Sequence, residues 1–216
     1  MSLGPVSILG GTGHQGSGLA QRLAKAGLRV VVGSRDPRRA RETVAAWSPA
    51  VDVSDNGSAA AGADTIVLAV PFDTVDAIVD EIGGRIREGA VVIDVTVPLT
   101  FAGGRMALVD VPEGSATEHI RARLPPSALL ACAFKTIPAH LLGNVDLPLD
   151  CDEFVCADSE PARERALALV AALPRLRGVD VGPLARARSI EHLTALAVAI
   201  NRRHKRHDAR FRVVGL

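Results

Sequence analysis

Aromatic residues make up only 3% of the 216 residues, with one tryptophan and no tyrosine. Single-strand nucleic-acid binding by base stacking needs aromatic platforms, so that class is not expected. No sign of charge is in excess either. Lys and Arg number 25 against 24 Asp and Glu, a formal net charge of +1, and so there is no global field to gather polyanions. The chain has no run of ~18 or more apolar residues, the length a membrane helix needs. Its opening, Met1-Ser2-Leu3-Gly4-Pro5, enters an apolar strand at Val6 with no basic leader and removable apolar segment, so secretion is not expected. Cysteine is scarce: Cys132, Cys151 and Cys156. An odd count without C-x-x-C spacing argues against a disulfide framework or a zinc site. Cys132 and Cys156 lie in apolar runs and read as small reduced core residues, which implies a cytoplasmic setting. Motifs for a nucleophilic serine (G-x-S-x-G), a zinc protease (H-E-x-x-H) or a phosphate loop ending GK[ST] are absent, as is a clustered metal-ligand set.

What is present is globular. Hydrophobic residues are 48% and charged residues 23%, and a chain this long buries roughly 70% of its unfolded surface. Short β-rich runs alternate with helical stretches. The strand candidates are Val6–Leu9, Arg29–Gly33, a weak one at Val51–Val53, Thr65–Val70, Val91–Val97, Leu129–Phe134, Glu153–Ala157 and Val179–Val181. TIVLAV and VVIDVTV are nearly continuous apolar runs, as strands buried on both faces are. Helices are predicted over Gly16–Ala26, from Asp36-Pro37, over Ser115–Leu124, over Pro161–Leu173, and from Ser189 onward. This alternation implies an α/β fold, a Rossmann-type doubly wound and mostly parallel sheet with a C-terminal helical extension. Residues 1–182 are expected to form the dinucleotide-binding domain with additional strands. Residues 183–216 add a helix and a basic tail (Arg202, Arg203, His204, Lys205, Arg206, His207, Arg210, Arg212) to the same compact unit. In that helix Ile190, Leu193, Ala197 and Ile200 form an apolar stripe, with Glu191, His192 and Asn201 off it. Such a stripe must cover something, either its own sheet or a second subunit.

Gly10-Gly11-Thr12-Gly13-His14-Gln15-Gly16 follows the first strand and opens the first helix. Gly11, Gly13 and Gly16 match G-x-G-x-x-G. They serve the tight turn, the backbone's approach to a pyrophosphate and close helix–strand packing, while the helix N-terminus offers unpaired N–H groups to phosphates. Gly10 and Gly18 read instead as turn positions. An NAD site wants an acidic residue at the end of the second strand. Asp36 is near that count, but it precedes Pro37 and reads as a helix cap. Ser34 and Arg35 hold the strand tip, and a second arginine, Arg38 or Arg39, follows one turn on. A hydroxyl with two guanidinium groups suits a 2′-phosphate, so NADP(H) is the expected dinucleotide.

Two strands end in proline loops, Ala69-Val70-Pro71-Phe72 and Thr96-Val97-Pro98-Leu99, and both should edge the nicotinamide at the carboxyl ends of the sheet. A third, Ala133-Phe134-Lys135-Thr136-Ile137-Pro138, should face the same crevice. Lys135 has three readings: general acid, charge partner for an anionic second substrate, or solvated lysine at a strand end. His140 reads as a helix-surface histidine, and Phe72 as a residue beside the ring or in the core.

ILGGTGHQGSGLAQRLAKAGLRVVVGSR resembles the opening of the NADPH-dependent F420 reductases. AVPFDTV, VTVPL, FKTIPAHLL and GPLARARSIEHLTALAVAINRR resemble later segments of that family in matching order. The resemblance implies that Thr12, Gly13, Ser34, Arg35 and Arg39 hold the NADP phosphates. It places Ala69, Val70 and Pro71 beside the nicotinamide, and makes the Thr136-Ile137-Pro138 and Leu184 segments walls of a pocket for coenzyme F420. It further implies hydride transfer between NADP(H) and the deazaflavin, achieved mainly by positioning, in a homodimer. Family members commonly carry His where this chain has Lys135, and the basic tail is longer here. That tail is expected to lie across a partner subunit or in solvent, rather than to reach the polyanionic side chain of the coenzyme. Alternative readings are an NADPH-dependent reductase of another acceptor (a flavin as in ferric-reductase domains, an imine or a ketone) and a non-catalytic NADP(H)-binding module.

Overall fold

The structure, a computed structural model, describes residues 3–102 and 105–216, without side-chain placement at 102 and 105. Met1 and Ser2, part of the N-terminal reading above, lie outside the described residues. In chain order the strands are β1 (Val6–Leu9), β2 (Val30–Ser34), β3 (Asp52–Asp55), β4 (Thr65–Leu68), β5 (Val91–Asp94), β6 (Leu99–Ala102), β7 (Arg105–Leu108), β8 (Leu129–Cys132), β9 (Cys151–Ala157) and β10 (Leu176–Asp180). The helices are α1 (His14–Lys25), α2 (Pro37–Val44), α3 (Asn56–Ala61), α4 (Val75–Ile82), α5 (Ala116–Arg123), α6 (Ala139–Gly143), α7 (Glu160–Ala171) and α8 (Ala187–His204). No helix among the described residues is long and apolar enough to cross a membrane.

Eight strands form one sheet in the order β10-β9-β8-β5-β4-β1-β2-β3. Every pairing is parallel except β8 with β9. Every predicted strand is in it, so the sheet is the doubly wound one the sequence implies. The predicted ends run long: Thr65–Val70 stops at Leu68 and Val91–Val97 at Asp94. Their last residues leave the ladder to build loops. β6 and β7, an antiparallel hairpin outside the sheet, were not expected, nor were α3, α4 and α6.

The sheet is buried on both faces because its strands alternate between two apolar layers. Val6 and Ile8, Val67, and Val91 and Ile93 face one layer with Leu19 and Leu23 of α1 and Ala166 and Leu169 of α7. Leu9, Ile66, Leu68 and Val92 face the other, with Ala60, Val75, Val79 and Ile120. Each such side chain contributes roughly 1.5–3 kcal/mol on burial, and this sets the strand register. Helix starts follow local chemistry. Asp36 caps α2 by accepting from Arg39 N at 3.1 Å, Asp55 caps α3, and Ser115 caps α5, as short polar side chains at these positions do.

The strand order reverses between β1 and β4, the switch point at which ligands bind in open α/β sheets. α1 begins there.

Candidate functional site

Beyond the carboxyl ends of β1, β4, β5 and β8 lies a cavity of about 480 Å³. The glycine turn contributes Gly13, His14 and Gln15. Ala69, Val70, Pro71 and Phe72 follow β4; Val95, Thr96 and Val97 follow β5; Lys135, Thr136, Ile137, Pro138 and Ala139 follow β8. α8 closes the far side with Thr194, Ala197, Val198 and Asn201. The sequence thus names most of its rim, and α8 covers its own molecule's cleft.

In the turn, Gly10 carries the positive φ (79°), so it rather than Gly11 makes the left-handed bend. A Cβ at Gly16 would stand 2.4 Å from Gly10 O, and one at Gly11 2.9 Å from Ile8 O. These two positions admit only glycine because helix, turn and strand touch there. Gly18 is not a turn: its bare Cα lets α6 pack at Leu142. Gly13 is the N-cap of α1 and no side chain caps that end. The first N–H groups of a 12-residue helix therefore point to the cleft with the positive end of its dipole, a fit for a pyrophosphate.

At the tip of β2, Ser34 and the Asp36 backbone exchange hydrogen bonds at 3.1 Å. Asp36 is committed to its cap, as expected. Arg35, Arg38 and Arg39 are exposed, and among the described residues none of them has an ion-pair partner. Three cations beside a hydroxyl, with no ion-paired acid among the described residues, suit a phosphate monoester better than a ribose diol.

Gln15 faces away from that phosphate end. Its Nε2 donates to Phe134 O at 2.8 Å and to Ile137 O at 3.4 Å, tying the turn to the wall after β8. Arg22, one helical face on, is buried and donates to the carbonyls of Leu141, Leu142, Asn144 and Leu147. The wall is thus suspended from α1. It needs holding, because Phe134 is fully buried with a φ of 59°, a region that costs a non-glycine residue roughly 1–3 kcal/mol.

Four expectations are corrected. Lys135 offers no acid or anion partner to a ligand. Its side chain is 0% exposed, and its Nζ donates to Asp94 Oδ2 at 2.6 Å, to Glu191 Oε1 at 3.0 Å and to Thr96 O. Burial alone would lower the ammonium's pKa; the two carboxylates outweigh it and hold it above the ordinary lysine value. Leu184 is 3% exposed and belongs to the core layer with Val92 and Ile120, outside the cavity. Pro98 borders a smaller cavity on the other side of its loop, with Leu108 and Arg188. The tail is neither solvated throughout nor free: Ala209 lines the cavity, Phe211 O accepts from Asp152 N, and Val213 N donates to Asp152. Thr12 is exposed on the turn. His140 is exposed on α6, as expected, and Phe72 both lines the cavity and packs on the core.

The sequence reading missed three carboxylates. Asp94, Glu153 and Glu191 are 0%, 0% and 2% exposed. Asp94 accepts from Thr96 N and Oγ1, Thr117 Oγ1 and Lys135 Nζ. Glu153 accepts from Lys135 N and Thr136 Oγ1. Burial pushes Glu153 up to about 7 against these hydrogen bonds, and raises Glu191 against the pull of Lys135. The signal for two of them is in the strings VVIDV and CDEFV: an acid inside an otherwise buried strand demands a partner. Glu191 gave no such signal, because it lies off the apolar stripe of α8.

The comparisons agree with this geometry. The profile of the family described as NADP oxidoreductase, coenzyme F420-dependent, matches residues 5–98. The chain is 35% identical to the F420-dependent NADP reductase of Methanothermobacter thermautotrophicus, over 98% of this chain and 95% of that protein. It is 30% identical to the enzyme of the same name from Methanocaldococcus jannaschii, over 98% of each. A solved protein of Arthrobacter sp. FB24 superposes with a TM-score of 0.84 at 24% identity, covering 98% of this chain and 99% of that one, and so shares the fold. By descent over nearly its whole length, then, the chain belongs to the family of the F420-dependent NADP reductases.

Proposed function

We propose that the protein transfers a hydride between NADP(H) and coenzyme F420. The single observation that carries this reading is the cavity. It joins an uncapped helix N-terminus to a mostly apolar slot of about 480 Å³, and among the described residues there is no group of three or more His, Cys, Asp or Glu side chains that could hold a metal.

Gly11, Gly13 and Gly16 shape the turn, and Thr12, Gly13, His14, Gln15 and Gly16 supply its backbone to the pyrophosphate. Ser34, Arg35 and Arg39 take the 2′-phosphate, where each charge-assisted hydrogen bond is worth roughly 1.5–3 kcal/mol. Ala69, Val70, Pro71 and Val97 edge the nicotinamide, and Thr136, Ile137 and Pro138 face the second ring. When bound, the two coenzymes supply the hydride donor and acceptor between them. The chain's part is to orient them and exclude water. The apolar lining from Val70, Ile137, Ala197 and Val198 does so without a proton-transfer residue, as positioning catalysis requires.

We also place the protein in the cytoplasm as a homodimer. Leu196, Ile200 and Phe101 are exposed on α8 and the neighbouring hairpin, a surface a second copy covers; sedimentation of the purified protein as a dimer tests this.

The function is tested by mixing protein and NADPH with F420, FAD or FMN in turn and following the acceptor's absorbance. Rapid bleaching of F420 alone is the expected result. Turnover of a flavin without F420 moves the acceptor assignment, and tight NADPH binding with no turnover makes the protein a binding module.

A further inference from the structure

The cavity wall is backed by more negative than positive charge. Three consecutive contacts show it. Thr96, Lys135 and Thr136 line the cavity, and each is hydrogen-bonded to a buried carboxylate: Thr96 to Asp94 at 2.7 Å, Thr136 to Glu153 at 2.8 Å, and Lys135 to Asp94 and Glu191. Lys135 is the only cation in this set. Its Nζ is shared between Asp94 and Glu191, while Glu153 accepts from the Lys135 N–H and the Thr136 hydroxyl and is further stabilised by the backbone N–H groups of Phe134 and Thr136. Asp94 accepts four hydrogen bonds from a lysine, a peptide N–H and two hydroxyls, the environment of an acceptor-only carboxylate. Three carboxyl groups thus face a single ammonium in this set.

Nicotinamide is neutral when reduced and cationic when oxidised. We propose that Asp94, Glu153 and Glu191 form a buried anionic backing that makes the site prefer the oxidised, cationic nicotinamide over the reduced one. This rests on the reading that the ring occupies this cavity. A charge one residue behind the wall acts through weakly screening protein, where a unit charge ~8 Å away still changes affinity several-fold. Holding NADP+ more tightly than NADPH pulls the bound equilibrium toward departure of the hydride, with its electron pair, from the reduced ring to the acceptor. These are positioning residues of the electrostatic kind; none of the three lines the cavity.

The test is the ratio of Kd values for NADP+ and NADPH, by calorimetric titration without acceptor. Titrated at pH 8, above the pKa of about 7 that burial gives Glu153, Glu191→Gln and Glu153→Gln each remove one charge and keep shape; Glu191→Asp keeps the charge. Each Gln variant is expected to raise the Kd(NADP+)/Kd(NADPH) ratio about 5-fold, and Glu191→Asp to restore it to within 2-fold of the parent protein. An unmoved ratio in both Gln variants, or equal weakening of both dinucleotides, overturns the proposal and makes the cluster purely structural. If one Gln variant fails to fold, the other decides alone. If the parent protein binds neither dinucleotide, the NADP reading itself falls, an outcome distinct from an unmoved ratio.

Discussion

The Gln15 carboxamide donates to the carbonyl of Phe134 at 2.8 Å across 119 residues of sequence. It links the glycine turn of the dinucleotide site to the opposite wall of the cavity. Gln15→Ala is therefore expected to act on the second substrate: KM for the acceptor rises about 10-fold while the Kd of NADP+ changes less than 3-fold. Gln15→Glu puts a carboxylate against two carbonyls and is expected to be no better at pH 8, recovering in part near pH 5, where a protonated carboxyl donates again. Steady-state kinetics beside direct NADP+ titration check both.

Arg35 and Arg39 stand exposed beyond β2, without acid partners among the described residues. Changing both to Ala is expected to weaken NADPH binding 10-fold or more and to leave NADH nearly untouched. Equal losses for the two dinucleotides refute the 2′-phosphate assignment.

Lys135→Met leaves Asp94 and Glu191 buried without their cation. Breaking a buried pair from one side costs about 3–5 kcal/mol, which for a domain of this length lowers Tm by roughly 10 °C. Adding Glu191→Gln to that variant removes one stranded charge and is expected to return part of the loss; calorimetric scans of the single and double variants measure it.

Glu153 sets a pH dependence. Its pKa in the fold, about 7, lies above the ordinary 4.5 because burial disfavours the charge. The folded state thus holds this proton longer than the unfolded chain does. The contribution is fully present below about 4.5 and is lost as pH rises through about 7, amounting to roughly 3 kcal/mol. The stability of the parent protein relative to Glu153→Gln is expected to fall between pH 5 and pH 8, as read from urea unfolding at each pH.

The tail is expected to be part of the fold. Arg177 grips Asp152 at 2.9 and 2.6 Å, Val213 N adds a third hydrogen bond to that carboxylate, and Phe211 packs against the cluster of Cys132, Phe154 and Ile190. Removing residues 209–216 exposes that cluster and costs about 2–3 kcal/mol. It also strips Ala209 from the cavity, so acceptor KM rises together with the loss of Tm.

Much of the cleft was legible in the chain. The glycine turn, the strand tip at Ser34 and Arg35, and the two proline loops are local signals, readable because a strand, a turn and a helix N-terminus meet within a dozen residues. All three sequence readings of Lys135, general acid, charge partner for a ligand or solvated lysine, leave its ammonium accessible, because a lysine at a strand end is ordinarily wet. Asp94 and Glu191 reach it from positions 41 and 56 residues away in sequence, and no local pattern announces them. Leu184 carried a family signal, yet it packs in the core layer with Val92 and Ile120.

The sequence by itself determined the sheet, its two apolar covers and the phosphate end of the site. Those follow from periodicity, from caps and from glycines whose Cβ atoms would collide with neighbouring backbone. Only the tertiary structure decided that α8 and Ala209 of the tail close the cleft, that Gln15 suspends the wall after β8, and that one lysine is shared between two buried carboxylates. Side-chain charges and amides find their partners through space, and burial, which no stretch of sequence contains alone, sets the worth of each pairing.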